Sequence, residues 1–142
     1  RMEISTLLSM KDYDFAFVNI SEPRTNETAL RITVYGSDHD TSLLVAPNEP
    51  VTTIHIDFPS YITYSVTYDD YTLWDEDAVF QGESFRLYQQ SSFMDSFIRS
   101  SCLEKTIIES MHHYGIHCIE HSIEVLSTSL PTIKVVPSIT KE

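Results

Sequence analysis

The strongest constraint on the fold is the run Tyr61–Tyr68, in which two kinds of side chain alternate without interruption. One side carries Ile62, Tyr64, Val66 and Tyr68, and the other carries Tyr61, Thr63, Ser65 and Thr67. Successive side chains of a strand point to opposite faces, and β-branched and aromatic residues pack well on a pleated surface. The run therefore predicts a half-buried β-strand.

Weaker alternation recurs along the chain, bounded by residues typical of turns. The further predicted strands are Ala29–Tyr35, Ser42–Ala46, Val51–Phe58, Phe85–Tyr88, Ile116–Leu126 and an edge strand at Thr132–Val136. Together these runs predict a mostly antiparallel sheet of about seven to eight strands.

One segment follows a helical period instead. Phe93, Phe97 and Ile98 recur at spacings of three and four residues, and residues 107–111 continue the apolar face. Ser91 or Ser92 is suited to cap its start, and Gly115 offers a stop. We therefore expect one principal helix at about 92–112, and an α+β fold. Whether Ser100 and Ser101 interrupt the helix is left open.

The chain has 142 residues, which fits a single domain over 1–142. It holds 21 acidic residues against 9 Lys and Arg, a formal charge of −12. Nucleic-acid binding and attraction to anionic membranes both require a cationic surface, so this charge argues against both. Residues 1–10 lack the apolar stretch of a signal peptide, and two cysteines, Cys102 and Cys118, suit a reducing compartment. We expect a cytoplasmic protein.

A group of histidines raises the question of a metal site. His113, His117 and His121 follow one another at four-residue spacing, with Cys118 among them. On a helix this spacing would align three imidazoles, but the β-like stretch after Gly115 disfavours a helix there. Structural or exposed histidines are the favoured interpretation, and we expect neither a metal nor another cofactor. A metal-binding protein or metal-dependent hydrolase using these residues remains the alternative.

The segment Asp69–Asp77 places five acids around a tyrosine and the only tryptophan. One interpretation is a solvated turn with Trp74 folded back onto the core, and a minor one is a metal or catalytic site. The functional interpretation is a partner surface, because aromatic anchors among charges are typical of binding hot spots. The candidate partner-binding residues are Asp69, Asp70, Tyr71, Trp74, Asp75, Glu76 and Asp77.

Several segments occur in an order found in one group of proteins. They are Tyr61–Val66, Thr72–Asp75, Gly82–Tyr88, His113–Cys118 and Glu124–Ser127. Over about residues 51–128 the chain resembles small acidic proteins of Bacillus-type Firmicutes whose function is unknown. The resemblance implies a bacterial, cytoplasmic protein and no activity. Small acidic proteins of this kind often resemble immunity proteins, which bind and block a toxin.

No nucleophile motif or phosphate-binding glycine loop is present in the sequence. The leading hypothesis is therefore a non-enzymatic binding protein that docks a basic protein partner, such as a toxin. A structural module that forms a homodimer through exposed strand edges is the other alternative.

Overall fold

The computed structural model describes residues 1–38, 43 and 51–136. Within them, nine antiparallel strands form two sheets, so the α+β prediction is confirmed. The strands are β1 (Asp14–Ser21), β2 (Leu30–Ser37), β3 (Thr52–Phe58), β4 (Thr63–Tyr68), β5 (Val79–Gly82), β6 (Phe85–Gln90), β7 (His112–His117), β8 (His121–Ser127) and β9 (Thr132–Val136). The helices are α1 (Ile4–Ser9), α2 (Ser92–Arg99) and α3 (Lys105–Ser110), with a 3₁₀ turn at Asp69–Tyr71.

The first sheet has the strand order β1-β2-β3-β9, and the second has the order β4-β8-β7-β6-β5. The predicted edge position of Thr132–Val136 is confirmed. Strands β1 and β5 were not predicted, and Ile116–Leu126 spans the end of β7 and most of β8. Of the predicted strand Ser42–Ala46, only Leu43 lies within the described residues.

The core lies where the two sheets face each other. Strand β2 alternates buried and half-buried residues along its whole length, as the period of two requires. Phe58 of β3 meets Tyr114 of β7 with ring centroids 5.5 Å apart, which joins the sheets across the core. The second sheet therefore buries one face and leaves the other for the site described below.

The principal helix is shorter than predicted. The region 92–112 holds α2 and α3, separated at residues 100–104, and His112 already belongs to β7. Ser91 does cap α2, because its Oγ accepts the Met94 N–H at 3.2 Å. At the other end the Ser100 hydroxyl donates to the Ser96 carbonyl at 2.9 Å, a local bond that competes with helix continuation.

Gly115 does not end a helix but lies in the middle of β7. A Cβ at this position would stand 2.9 Å from the Tyr88 ring and 3.1 Å from His117 Nε2. A side chain at this position would therefore press on both rings, which meet above the strand. In the part of the chain that the structure describes, no helix has the length and apolar character needed to cross a membrane.

Candidate functional site

A cleft of about 940 Å³ lies on the second sheet, on the face turned away from the core. Its floor is formed by side chains of β4, β6, β7 and β8, and one wall by Asp69 and residues 71–78. We call Asp69–Asp77 the acidic loop. The volume is within the range of roughly 300–1,000 Å³ that is typical of ligand sites. The structure thus places the acidic segment singled out from the sequence at the rim of a cavity.

The acidic loop presents large apolar side chains to solvent. Tyr71 is 80% exposed, Leu73 is 95% exposed and Trp74 is 76% exposed. One interpretation of the sequence expected Trp74 to fold back onto the core, and the structure shows that it does not. Large exposed apolar residues that lie close together are unusual on a surface with no partner.

Two acids fasten the loop to the rest of the protein. Asp69 accepts the Ser122 hydroxyl at 3.1 Å, and its backbone N–H donates to the Glu120 carbonyl at 3.0 Å. Asp75 accepts the Ser92 backbone N–H at 2.8 Å and the Ser92 hydroxyl at 3.0 Å. These contacts tie the loop to β8 at one end and to the start of α2 at the other.

The bonds to Asp75 also set its charge state. The Ser92 backbone N–H, assisted by the Ser92 hydroxyl and the Asp77 N–H, holds the pKa of Asp75 below its usual value. Each of these donors stabilises the carboxylate form. Asp75 therefore positions the loop, while Asp70, Glu76 and Asp77 are exposed and available to a partner.

A chain of short hydrogen bonds crosses the floor of the cleft. Ser91 Oγ lies 2.7 Å from His113 Nδ1, and His113 Nε2 lies 2.7 Å from Glu124 Oε1. The Glu124 carboxylate can only accept, so we assign the Nε2 proton to His113. The imidazole is stacked on Tyr88, with centroids 4.1 Å apart and planes 10° apart, and tilted against Phe93 at 5.1 Å. His113 is thereby fixed in orientation and holds one Glu124 oxygen.

Serine, histidine and carboxylate in this order also occur in hydrolases, but Ser91 is not placed to act as a nucleophile. The residue is only 2% exposed. Its Oγ already accepts the Met94 N–H as the cap of α2. The chain from Ser91 to Glu124 therefore joins α2 to the sheet and positions Glu124 in the cleft.

The second oxygen of Glu124 faces His117, whose Nε2 lies 3.6 Å away and is 3.2 Å from the Tyr88 hydroxyl. Burial lowers the pKa of His117, and the nearby Glu124 opposes that effect only in part. Burial also raises the pKa of Tyr88. Both groups are consequently neutral near pH 7, and they add polarity to the floor without adding charge.

The charge of the cleft is strongly unbalanced. Arg86 is the only Lys or Arg among the described lining residues, and its guanidinium lies over the Phe80 ring, 4.3 Å from the centroid. The guanidinium Nε also donates to the Glu83 carbonyl at 2.6 Å. The lining carboxylates are Asp69, Asp75, Glu76, Asp77 and Glu124. Five acids against one base make the cleft suited to a cationic ligand.

The histidines proposed as metal ligands do not converge. His113 and His117 line the cleft, whereas His121 lies between the rings of Phe17 and Tyr68, at 4.8 and 4.5 Å. Cys118 is buried, and burial raises the pKa of its thiol to about 12. In the described ranges no group of three or more His, Cys, Asp or Glu residues could hold a metal ion.

Sequence reasoning found the loop but missed most of the floor. Glu124 and Tyr88 were not predicted as site residues, and Ser91 was predicted only as a helix cap, although strand alternation does place His113 and His117 on one face. Glu124 is brought to His113 only by the pairing of β7 with β8. Searches of known protein families, curated proteins and solved structures find no match to this chain.

Proposed function

We propose that this is a non-enzymatic binding protein whose acidic loop and cleft dock a basic protein partner. The observation that carries the proposal is the exposure of Tyr71, Leu73 and Trp74 at the rim of the acidic cleft. Aromatic anchors surrounded by charge supply the buried contact of many interfaces, while the charges select the partner.

The charge distribution supports a basic partner. A protein of formal charge −12 attracts cations at long range, and the cleft focuses five of its carboxylates in one place. At about 0.1 M salt this attraction extends roughly 10 Å, so it acts mainly on the rate of encounter.

The anchoring of the acidic loop supports binding in a second way. Asp69 and Asp75 hold the loop at both ends, so less conformational entropy is lost when a partner orders it. The exposed acids and Trp74 are then presented in one arrangement before the encounter. A loop held in this way is what a recognition surface requires.

The resemblance to immunity-type proteins favours one specific form of this role, which is the inhibition of a basic toxin. In that role, carboxylates such as Asp70 and Glu76 would occupy a toxin groove that normally receives phosphates. The toxin's own activity, assayed with and without this protein, distinguishes inhibition from binding alone.

The experiment measures binding to a short synthetic peptide in which lysine alternates with valine, which we call the lysine–valine peptide. Trp74→Ala and Tyr71→Ala are compared with Leu130→Ala, whose side chain is also exposed, at 63%, but lies outside the cleft. Loss of a hot-spot aromatic costs about 2 kcal/mol or more, which is roughly thirtyfold in Kd. We expect that loss for Trp74→Ala, a weakening in the same direction for Tyr71→Ala, and none for Leu130→Ala. Equal affinities for all three variants, or no binding by the wild type, would contradict the proposal.

A further inference from the structure

Among the residues that the structure describes, the two sheets end in four edge strands, which differ in how they are protected. In the described residues the edges are β1 and β9 of the first sheet and β4 and β5 of the second. An edge strand presents unpaired backbone N–H and C=O groups, and proteins usually protect it by bulges, short length or charged side chains.

Three of the four edges carry such protection. Strand β1 has a bulge between Phe17 and Asn19. Strand β5 has only 4 residues and a register shift between Val79 and Phe80. Strand β9 carries the exposed Lys134, and its Ile133 carbonyl already accepts the Met2 N–H at 2.9 Å. None of these strands offers a regular, uncharged and unpaired edge.

Strand β4 is the exception. Its 6 residues include no charge, proline or glycine, and its register with β8 is unbroken. The Asp69 N–H continues the ladder to the Glu120 carbonyl at 3.0 Å. Bonded and non-bonded pairs alternate in an antiparallel ladder. Because the Asp69 N–H points to β8, the backbone groups of Thr63, Ser65 and Thr67 point to β8 as well. The backbone groups of Tyr64, Val66 and Tyr68 therefore point to the free edge.

We propose that β4 accepts an extended basic segment of the partner as a sixth strand of the second sheet. This inference rests on the proposed function and names its binding mode. Ser65 and Thr67 of β4 line the cleft, so alternate side chains of the added strand would lie at its edge. Backbone hydrogen bonds then provide affinity, and the lysine or arginine side chains provide specificity.

Charge distinguishes a basic segment from a second copy of this chain. Strand β4 runs directly into the acidic loop at Asp69 and Asp70. A second copy paired at this edge would bring another charge of −12 and another acidic loop, which repel. A basic segment meets the same carboxylates with attraction.

The test replaces Val66, which lies in the middle of the free edge of β4. Val66→Pro removes an N–H that faces solvent and leaves the bonds to β8, and proline is tolerated in edge strands. Val66→Ala is the matched control, which keeps the N–H. Losing one or two hydrogen bonds of about 1 kcal/mol each, together with the steric block, predicts about tenfold weaker binding of the lysine–valine peptide by Val66→Pro than by Val66→Ala.

A second measurement uses the wild-type protein and so does not depend on the folding of a variant. Lysine–valine peptides N-methylated on one or the other alternate set of amides are compared. We expect methylation of one set to abolish binding and methylation of the other to leave it intact, because only alternate amides face β4.

Equal effects of methylating the two sets, or equal affinity of Val66→Pro and Val66→Ala for the peptide, would overturn the inference. If Trp74→Ala still weakens binding in that case, the proposed function stands and only the strand mode fails. Assembly of the wild type into a dimer that Val66→Pro abolishes would assign the edge to a second copy and would also overturn it.

Discussion

At the scale of single residues, neighbouring acids of the acidic loop have different tasks. Asp75 accepts the Ser92 N–H and hydroxyl and fastens the loop to α2, whereas Glu76 is exposed. We expect Asp75→Asn to lower the free energy of unfolding at pH 7, and the matched change Glu76→Gln to leave it unchanged. Urea unfolding checks this, and equal values for the two variants would contradict the assignment.

The pH dependence of the Asp75→Asn effect follows from the direction of its pKa shift. The folded-state pKa of Asp75 lies below the usual value of 3.8, so its stabilisation is fully present above that pH. The stabilisation is lost as the pH falls through the folded-state value. The stability difference between wild type and Asp75→Asn should therefore shrink between pH 5 and the acid limit of folding. A stability difference that grows on acidification would contradict a lowered pKa of Asp75 in the folded state.

Gly115 is a second residue whose role the structure makes specific. An added Cβ would press on the Tyr88 ring at 2.9 Å and on His117 Nε2 at 3.1 Å. Overpacking of this kind costs about 1–3 kcal/mol, so Gly115→Ala should lower the free energy of unfolding by that amount. In a Tyr88→Ala background the cost should shrink, and a double-mutant cycle of unfolding measurements checks it. An equal cost in both backgrounds would mean that the contact with Tyr88 is not the cause.

At the scale of elements, the junction of β6 and α2 is where helix and sheet depend on one another. Ser91 caps α2 and bonds His113, so Ser91→Ala removes a cap and leaves the imidazole Nδ1 without its partner. A cap alone contributes about 0.5–2 kcal/mol, and we expect a loss of stability at the upper end of that range. Ser96→Ala is the control, because Ser96 lies in the same helix, is exposed and accepts a surface bond from Arg99 at 3.3 Å. Similar unfolding midpoints for the two variants would contradict the claim that Ser91 joins α2 to the sheet.

The elements also show how far the sequence predicts the fold. Strands with uninterrupted alternation, such as β3 and β4, were predicted within one or two residues of their ends. Strand β1 was missed because its apolar residues run together at 15–18 and the bulge at Phe17 breaks the period of two. Strand β5 has only 4 residues, too few for a pattern. The candidate site was predicted only in its loop, since the pairing of β7 and β8 that brings Glu124 to His113 has no local signal.

At the scale of the whole molecule, the proposed function requires the charge of −12 to act through one surface. Five carboxylates line the cleft, and the remaining acids do not share a cavity with them in the described structure. Removing charge from the acidic loop should therefore affect binding more than removing the same charge elsewhere. Two triple variants make the comparison. The loop variant is Asp70→Asn, Glu76→Gln and Asp77→Asn, and the control is Glu27→Gln, Glu104→Gln and Glu109→Gln. Every substituted residue is exposed, and each set of three changes −12 to −9.

The most direct measurement is the association rate of the lysine–valine peptide with wild type and both triple variants, at about 10 mM and about 500 mM salt. For the wild type we expect the rate to fall by roughly tenfold or more as salt is raised, since screening removes the steering. The loop variant should lose most of that salt dependence, and the control variant should keep it. A wild-type rate that does not change with salt, or equal losses in the two variants, would contradict the claim that the acidic loop and cleft recruit a basic partner.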